Sequence, residues 1–82
     1  MEKVVGKITH YFPKVGVAVV ILEDNIANGD EIHITGTHSD FRQTVTSMQI
    51  EHQTITNATK GQDIGIKVIQ NVHAGDVVYR VT

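Results

Sequence analysis

Five histidines, His10, His33, His38, His52 and His73, are the residues of this chain best suited to chemistry. Imidazole is a common metal ligand and titrates near neutral pH. The spacing supports neither use. No pair reads H-x-x-x-H or H-E-x-x-H, the patterns that set two histidines on one helix face. No two lie two apart, as ligands on one strand face would. His33 and His38 are the nearest pair, and a loop containing Gly36 divides them. There is no cysteine, which removes disulfides and thiolate metal or redox chemistry. The sequence therefore predicts no metal and no other cofactor.

Acid–base catalysis needs paired groups in a cleft. Asp24, Asp30, Asp40, Asp63 and Asp76 all fall in or beside expected turns, where aspartate serves local backbone hydrogen bonds. Ser39 and Ser47 lack the strand–turn–helix setting of a nucleophile elbow. No catalytic residue is assigned, and the chain is expected not to be an enzyme.

Nucleic-acid recognition combines cations with aromatic rings that stack on bases. Phe41-Arg42 follows the polar loop from Gly36 to Asp40, and His38 lies in that loop. His38, Phe41 and Arg42 are the candidate nucleic-acid contacts. The competing reading is that Phe41 plugs the end of the core while Arg42 is solvated. Seven Lys and Arg stand against nine Asp and Glu, a net charge of −2. That balance excludes a strong non-specific binder of phosphate backbones.

These side chains must be placed by strands. With 82 residues the chain is expected to form one domain, residues 1–82. Its 40% apolar and 20% charged content is that of a globular chain. Val4 to Phe12 alternates and reads as a strand, with Val4, Gly6, Ile8, His10 and Phe12 on one face. Pro13 to Gly16 signals a turn. Val17 to Leu22 is a run of six apolar residues, apolar on both faces, so one face must meet something beyond the core. Asn28-Gly29-Asp30 marks a turn before the strand Glu31 to Thr35. Phe41 to Ile50 slips in phase, which a bulge near Thr46-Ser47 would absorb. Gly61 turns the chain into a strand holding Ile64, Ile66 and Val68. Gly65 in its middle suggests a bulge, a bend or close backbone approach. Asp76 to Val81 is the last strand. Ile8, Ile32, Ile34, Val45, Ile64, Ile66 and Val77 are predicted to be buried. Gly29-Asp30 and Gly75-Asp76 each precede a strand, which is turn chemistry rather than a repeat.

No amphipathic helix of useful length is present. The short, evenly spaced strands predict an all-β fold, a small closed antiparallel β-barrel of about six to seven strands. No run approaches the ~20 apolar residues of a membrane span, and Met1 to Gly6 lacks the apolar core of a signal peptide. The expected location is the cytoplasm.

Taken together, Gly6-Lys7-Ile8, Asn28-Gly29-Asp30-Glu31-Ile32, Val45-Thr46-Ser47-Met48, Ala58-x-x-Gly61-x-x-Ile64-Gly65-Ile66 and Gly75-Asp76-Val77-Val78 resemble the second domain of the translational GTPases, the barrel that follows the G domain in elongation factor Tu. The match is closer to small stand-alone elongation-factor-like proteins. The resemblance implies a binding module in translation or RNA-related processes, with RNA or the ribosome as partner. No phosphate loop of the form G-x-x-x-x-G-K-[ST] is present, so GTP binding is not expected. The alternative is a protein-interaction or oligomerisation module working through an apolar face, drawn from Val17–Leu22, Val5 and Val78. Barrels of this type are also appended to the C-terminus of a peptidase-like enzyme family that acts on RNA-linked substrates. An accessory domain of that kind is the related alternative.

Overall fold

The computed structural model describes all 82 residues, and every regular element is a strand. The strands are β1 (Glu2–Phe12), β2 (Val17–Leu22), β3 (Ile26–Ala27), β4 (Glu31–Thr35), β5 (Asp40–Thr44), β6 (Met48–Ile50), β7 (Gln53–Ile55), β8 (Asn57–Ala58), β9 (Asp63–Lys67) and β10 (Val77–Val81). Eight form one antiparallel sheet in the order β5-β4-β10-β1-β2-β9-β6-β7, and β3 pairs with β8 in a separate ribbon. The all-β class is as expected. The closed barrel of six or seven strands is not observed: the ladder ends at β5 on one side and β7 on the other. No helix is long and apolar enough to cross a membrane.

One side chain bridges between the β5 edge and the end of β9 with the residues after it. Gln43 lies on β5 and is 8% exposed. Its Nε2 donates to the Lys67 carbonyl at 2.7 Å, and its Oε1 accepts from the Ile69 amide at 2.9 Å. A side-chain amide thus does what a backbone peptide does in a ladder. Both of its buried polar atoms are satisfied, as burial requires.

The core is one cluster drawn from nearly every strand. Val5, Ile8, Val20, Ile32, Ile34, Val45, Met48, Ile64, Ile66 and Val78 are all essentially inaccessible. Each buried branched side chain contributes about 1.5–3 kcal/mol of transfer free energy. Six of the seven predicted core residues are buried; Val77 is half-buried, and its neighbour Val78 takes the inward place. The register of β1 explains part of the difference. It slips between Val4 and Gly6 and again between Ile8 and His10. The first slip buries Val5 and exposes Val4; beyond the second, His10 and Phe12 face outward and Tyr11 packs on the core. Val5 and Val78 therefore supply core, not a sticky outer face.

The predicted bulge near Thr46-Ser47 is a full break. β5 pairs with β4, whereas β6 pairs with β7 and β9. Buried Val45 pins the corner, its amide donating to Asp30 and its carbonyl accepting from Gly29.

One turn recurs three times: Ala27-Asn28-Gly29-Asp30, Thr59-Lys60-Gly61-Gln62 and His73-Ala74-Gly75-Asp76. In each, the fourth residue's amide donates to the first residue's carbonyl, at 3.1, 3.2 and 3.1 Å. In each, the fourth side chain accepts from the first amide, at 2.9, 2.8 and 3.0 Å. The glycines sit at φ of 94°, 92° and 97°, a region that favours glycine. The Gly-Asp echo is this reciprocal turn.

Candidate functional site

The outer face of β2 carries Val17, Val19 and Ile21, and the chain before it adds Phe12 and Val15. Phe12 is 48% exposed, Val15 55% and Ile21 42%. A hairpin buries one face and leaves the other to water unless something covers it. The apolar surplus of the Val17–Leu22 run therefore lies at the surface, as its two-faced pattern requires.

Beside it lies a groove of about 550 Å³. One wall is Phe12, Val15, Val17 and Val19; the other is Gln49, Glu51 and His52, with Asp63, Ile64 and Gly65 between them. The cross-strand ladder sets this arrangement, because Gly65 pairs with Val19 on one side and with Gln49 on the other. The predicted bulge or bend at Gly65 is not found; β9 runs in unbroken register with β2. Close approach is found instead, and it comes from side chains. A Cβ on Gly65 would stand 3.1 Å from Val17 Cγ1 and 3.3 Å from Gln49 Cγ. The missing side chain keeps the groove floor open.

The groove lip is the β6–β7 hairpin turn, Glu51-His52, with φ of 49° and 67°. Two-residue hairpin loops of this hand favour Asn-Gly, because both central residues take positive φ. Here a glutamate and a histidine occupy them. Such strain persists where surrounding structure enforces it, and it clusters at functional sites.

The paired titratable side chains gather elsewhere, on β1, β4 and β5. His33 Nδ1 lies 2.9 Å from Glu2 Oε2, and its Nε2 lies 2.5 Å from Asp40 Oδ1. Arg42 reaches Glu2 at 3.2 Å and Glu31 at 3.7 Å. The hydrogen bond to Asp40, then that to Glu2, raises the His33 pKa above the ordinary imidazole value, against a smaller opposing effect of desolvation. This is a clasp that ties the start of β1 to β4 and β5. A second clasp holds Asp24 between Lys3 and Arg80. Its hydrogen bond to Lys3 leads in lowering the Asp24 pKa, followed by the Asn25 amide.

The predicted nucleic-acid contacts are not brought together. Phe41 is buried at 7% exposure and pairs with Ile34. Arg42, the next residue on the strand, points outward and is held by carboxylates. His38 is exposed, with its ring edge-on to that of His73 at 5.8 Å between centroids. Nor do Lys7, Lys67 and Arg80 form a stripe. Lys7 lies in register with Ile21, Lys67 lies in register with Val17, and Arg80 serves Asp24 and the Asn25 carbonyl. A smaller cleft of about 370 Å³ beside the β3–β8 ribbon has its charges, Asp30 and Arg80, already committed to local partners. The Val17–Leu22 face is legible in the sequence; Gln49 and Glu51 are not, and His52 stands there only as one of five scattered histidines. The strained turn leaves no mark in residue type, since neither residue is a usual turn former.

No protein-family model matches the chain. An uncharacterized protease of Methanocaldococcus jannaschii is 37% identical over 92% of this chain, and a collagenase of Porphyromonas gingivalis is 44% identical over 93% of it. The chain spans about a fifth of those relatives, 19% and 22% of their lengths. Among solved structures, the C-terminal domain of a Geobacillus thermoleovorans protein described as a U32 peptidase superposes with a TM-score of 0.90, covering 98% of this chain and 93% of that one at 20% identity. These findings correct two expectations. The likeness to the translational GTPase second domain, with its translation-factor role, gives way to a likeness to peptidases. The Gly-Asp and Gly61 elements that carried the former belong to a turn that satisfies its own backbone and is not specific to one family. The expectation that the chain is not an enzyme is corrected too, because the curated relatives are named protease and collagenase; of the readings drawn from sequence, the peptidase-linked alternative is the one these likenesses favour. What this chain is similar to is a short segment of such proteins, with the fold of a U32 peptidase C-terminal domain.

Proposed function

We propose that this chain is an accessory domain of a peptidase-like enzyme and engages a polypeptide through the groove between β2 and the β6–β7 turn. The observation that carries the reading is the pairing of two features in one small domain. Its likeness to a protease and a collagenase runs along nearly the whole chain while filling a fifth of theirs. Its largest surface groove is walled by exposed apolar residues. A domain that holds a long substrate gives the enzyme remote binding energy, which short substrates cannot exploit.

The test uses the related collagenase with and without the segment matching this chain. Hydrolysis of gelatin and of a short peptide is measured side by side. Loss of the segment is expected to raise KM for gelatin about tenfold and to leave the short peptide nearly unchanged, the pattern of lost uniform binding. Equal kinetics for both substrates would overturn the proposal.

A further inference from the structure

The groove is not electrically neutral. Glu51 and Asp63 both line it. Neither takes part in an ion pair, although six such contacts occur elsewhere in the molecule. The register that sets Gln49 opposite Gly65 runs on toward Glu51 and Asp63, so the two carboxylates belong to one end of the groove. Lys67, at the other end of β9 beside Val17, donates its Nζ to the Val15 carbonyl at 2.6 Å. An apolar wall thus faces two carboxylates that make no ion pair, with His52 beside Glu51. One of them sits in a backbone conformation that glutamate rarely adopts.

We infer that the groove takes an extended polypeptide substrate segment carrying lysine or arginine between apolar residues. Its apolar side chains lie on Phe12, Val17 and Val19. Its basic side chains reach Glu51 and Asp63. Gly65 lets the segment's backbone approach the sheet. This rests on the polypeptide-engaging role proposed above and adds the chemistry of the occupant. Charge complementarity of this kind selects among partners more than it adds affinity.

The probe is a short fluorescein-labelled peptide of alternating lysine and valine, compared with one carrying glutamate for lysine. Anisotropy is read against the 82-residue chain at low and moderate salt. The lysine peptide is expected to bind and to weaken with salt, and the glutamate peptide to bind at least about tenfold more weakly. Replacing the turn with Asn-Gly, Glu51→Asn with His52→Gly, removes one carboxylate and relieves the backbone. That double variant is expected to unfold at higher temperature yet bind the lysine peptide about threefold more weakly, and Asp63→Asn to weaken it similarly. A gain in stability beside a loss in binding cannot come from misfolding. Equal binding of both peptides, indifference to all these substitutions, or binding of neither peptide would overturn the inference. So would sedimentation showing a second copy of the chain in the groove. The gelatin comparison reads the accessory role separately, so either proposal can fail alone.

Discussion

Gly65 and Val17 are neighbours across the β2–β9 pair, and a single methyl on the glycine would come 3.1 Å from Val17 Cγ1. The contact is with a side chain at the surface, so the protein can yield a little. Gly65→Ala is expected to be nearly neutral in stability, because the strand backbone is regular and alanine also lowers the entropy of the unfolded chain. Gly65→Val fills the floor and must push Val17 and Gln49 apart, at a cost of about 1–3 kcal/mol. Thermal unfolding checks both. In the lysine-peptide assay, valine should abolish binding even at temperatures where the variant is fully folded.

Gln43 closes by its side chain a gap that backbone pairing leaves open. Gln43→Ala strands the Lys67 carbonyl and the Ile69 amide and is expected to cost about 2–4 kcal/mol, for two hydrogen bonds lost in a buried place. Gln43→Glu keeps the shape and one acceptor but faces the Lys67 carbonyl with an oxygen, and should fall between the two. Denaturant titration gives the order. Hydrogen exchange at the Ile69 amide should rise most in Gln43→Ala, which removes its acceptor, and less in Gln43→Glu, which keeps it.

The His33 clasp makes stability depend on pH, with a definite sign. Its folded pKa is raised, so its contribution is whole below the unfolded value of about 6.5 and fades as pH rises through the folded value. His33→Asn should therefore cost about 1 kcal/mol near pH 6 and close to nothing near pH 9, the size usual for a partly exposed ion pair. Unfolding temperatures of both proteins across that range test it. A difference that grows toward high pH would contradict the assignment.

The alternation of Ile32, Ile34, Ile64 and Ile66 was enough to place β4 and β9 and to turn these residues inward, because a period of two leaves little freedom when one face is buried. The same logic failed on β1, where two register slips reset the faces and moved Val5 inward in place of Val4. Bulges depend on what the neighbouring strands do, and β1 is shared between β10 and β2. Ladder closure was not legible for a similar reason. Whether β5 meets the far edge depends on distances between residues remote in sequence, and the molecule answers with Gln43, a residue with no local signal. The apolar wall of the groove was legible as an excess, six apolar residues where one face alone needs them. The two carboxylates were not, since Glu51 and Asp63 reach one groove only because β6 pairs with β9. The translation-factor likeness rested in part on turns, and turn chemistry is set by backbone needs common to many β folds.

The most direct test of the account is a chimera. The 82-residue chain replaces the matching segment of the related collagenase, and gelatin hydrolysis is compared with that of the intact and the truncated enzyme. The account predicts a KM for gelatin within about threefold of the intact enzyme, against a rise of about tenfold in the truncated one. A folded chimera whose gelatin kinetics match those of the truncated enzyme, with the short peptide still cleaved normally, would contradict it.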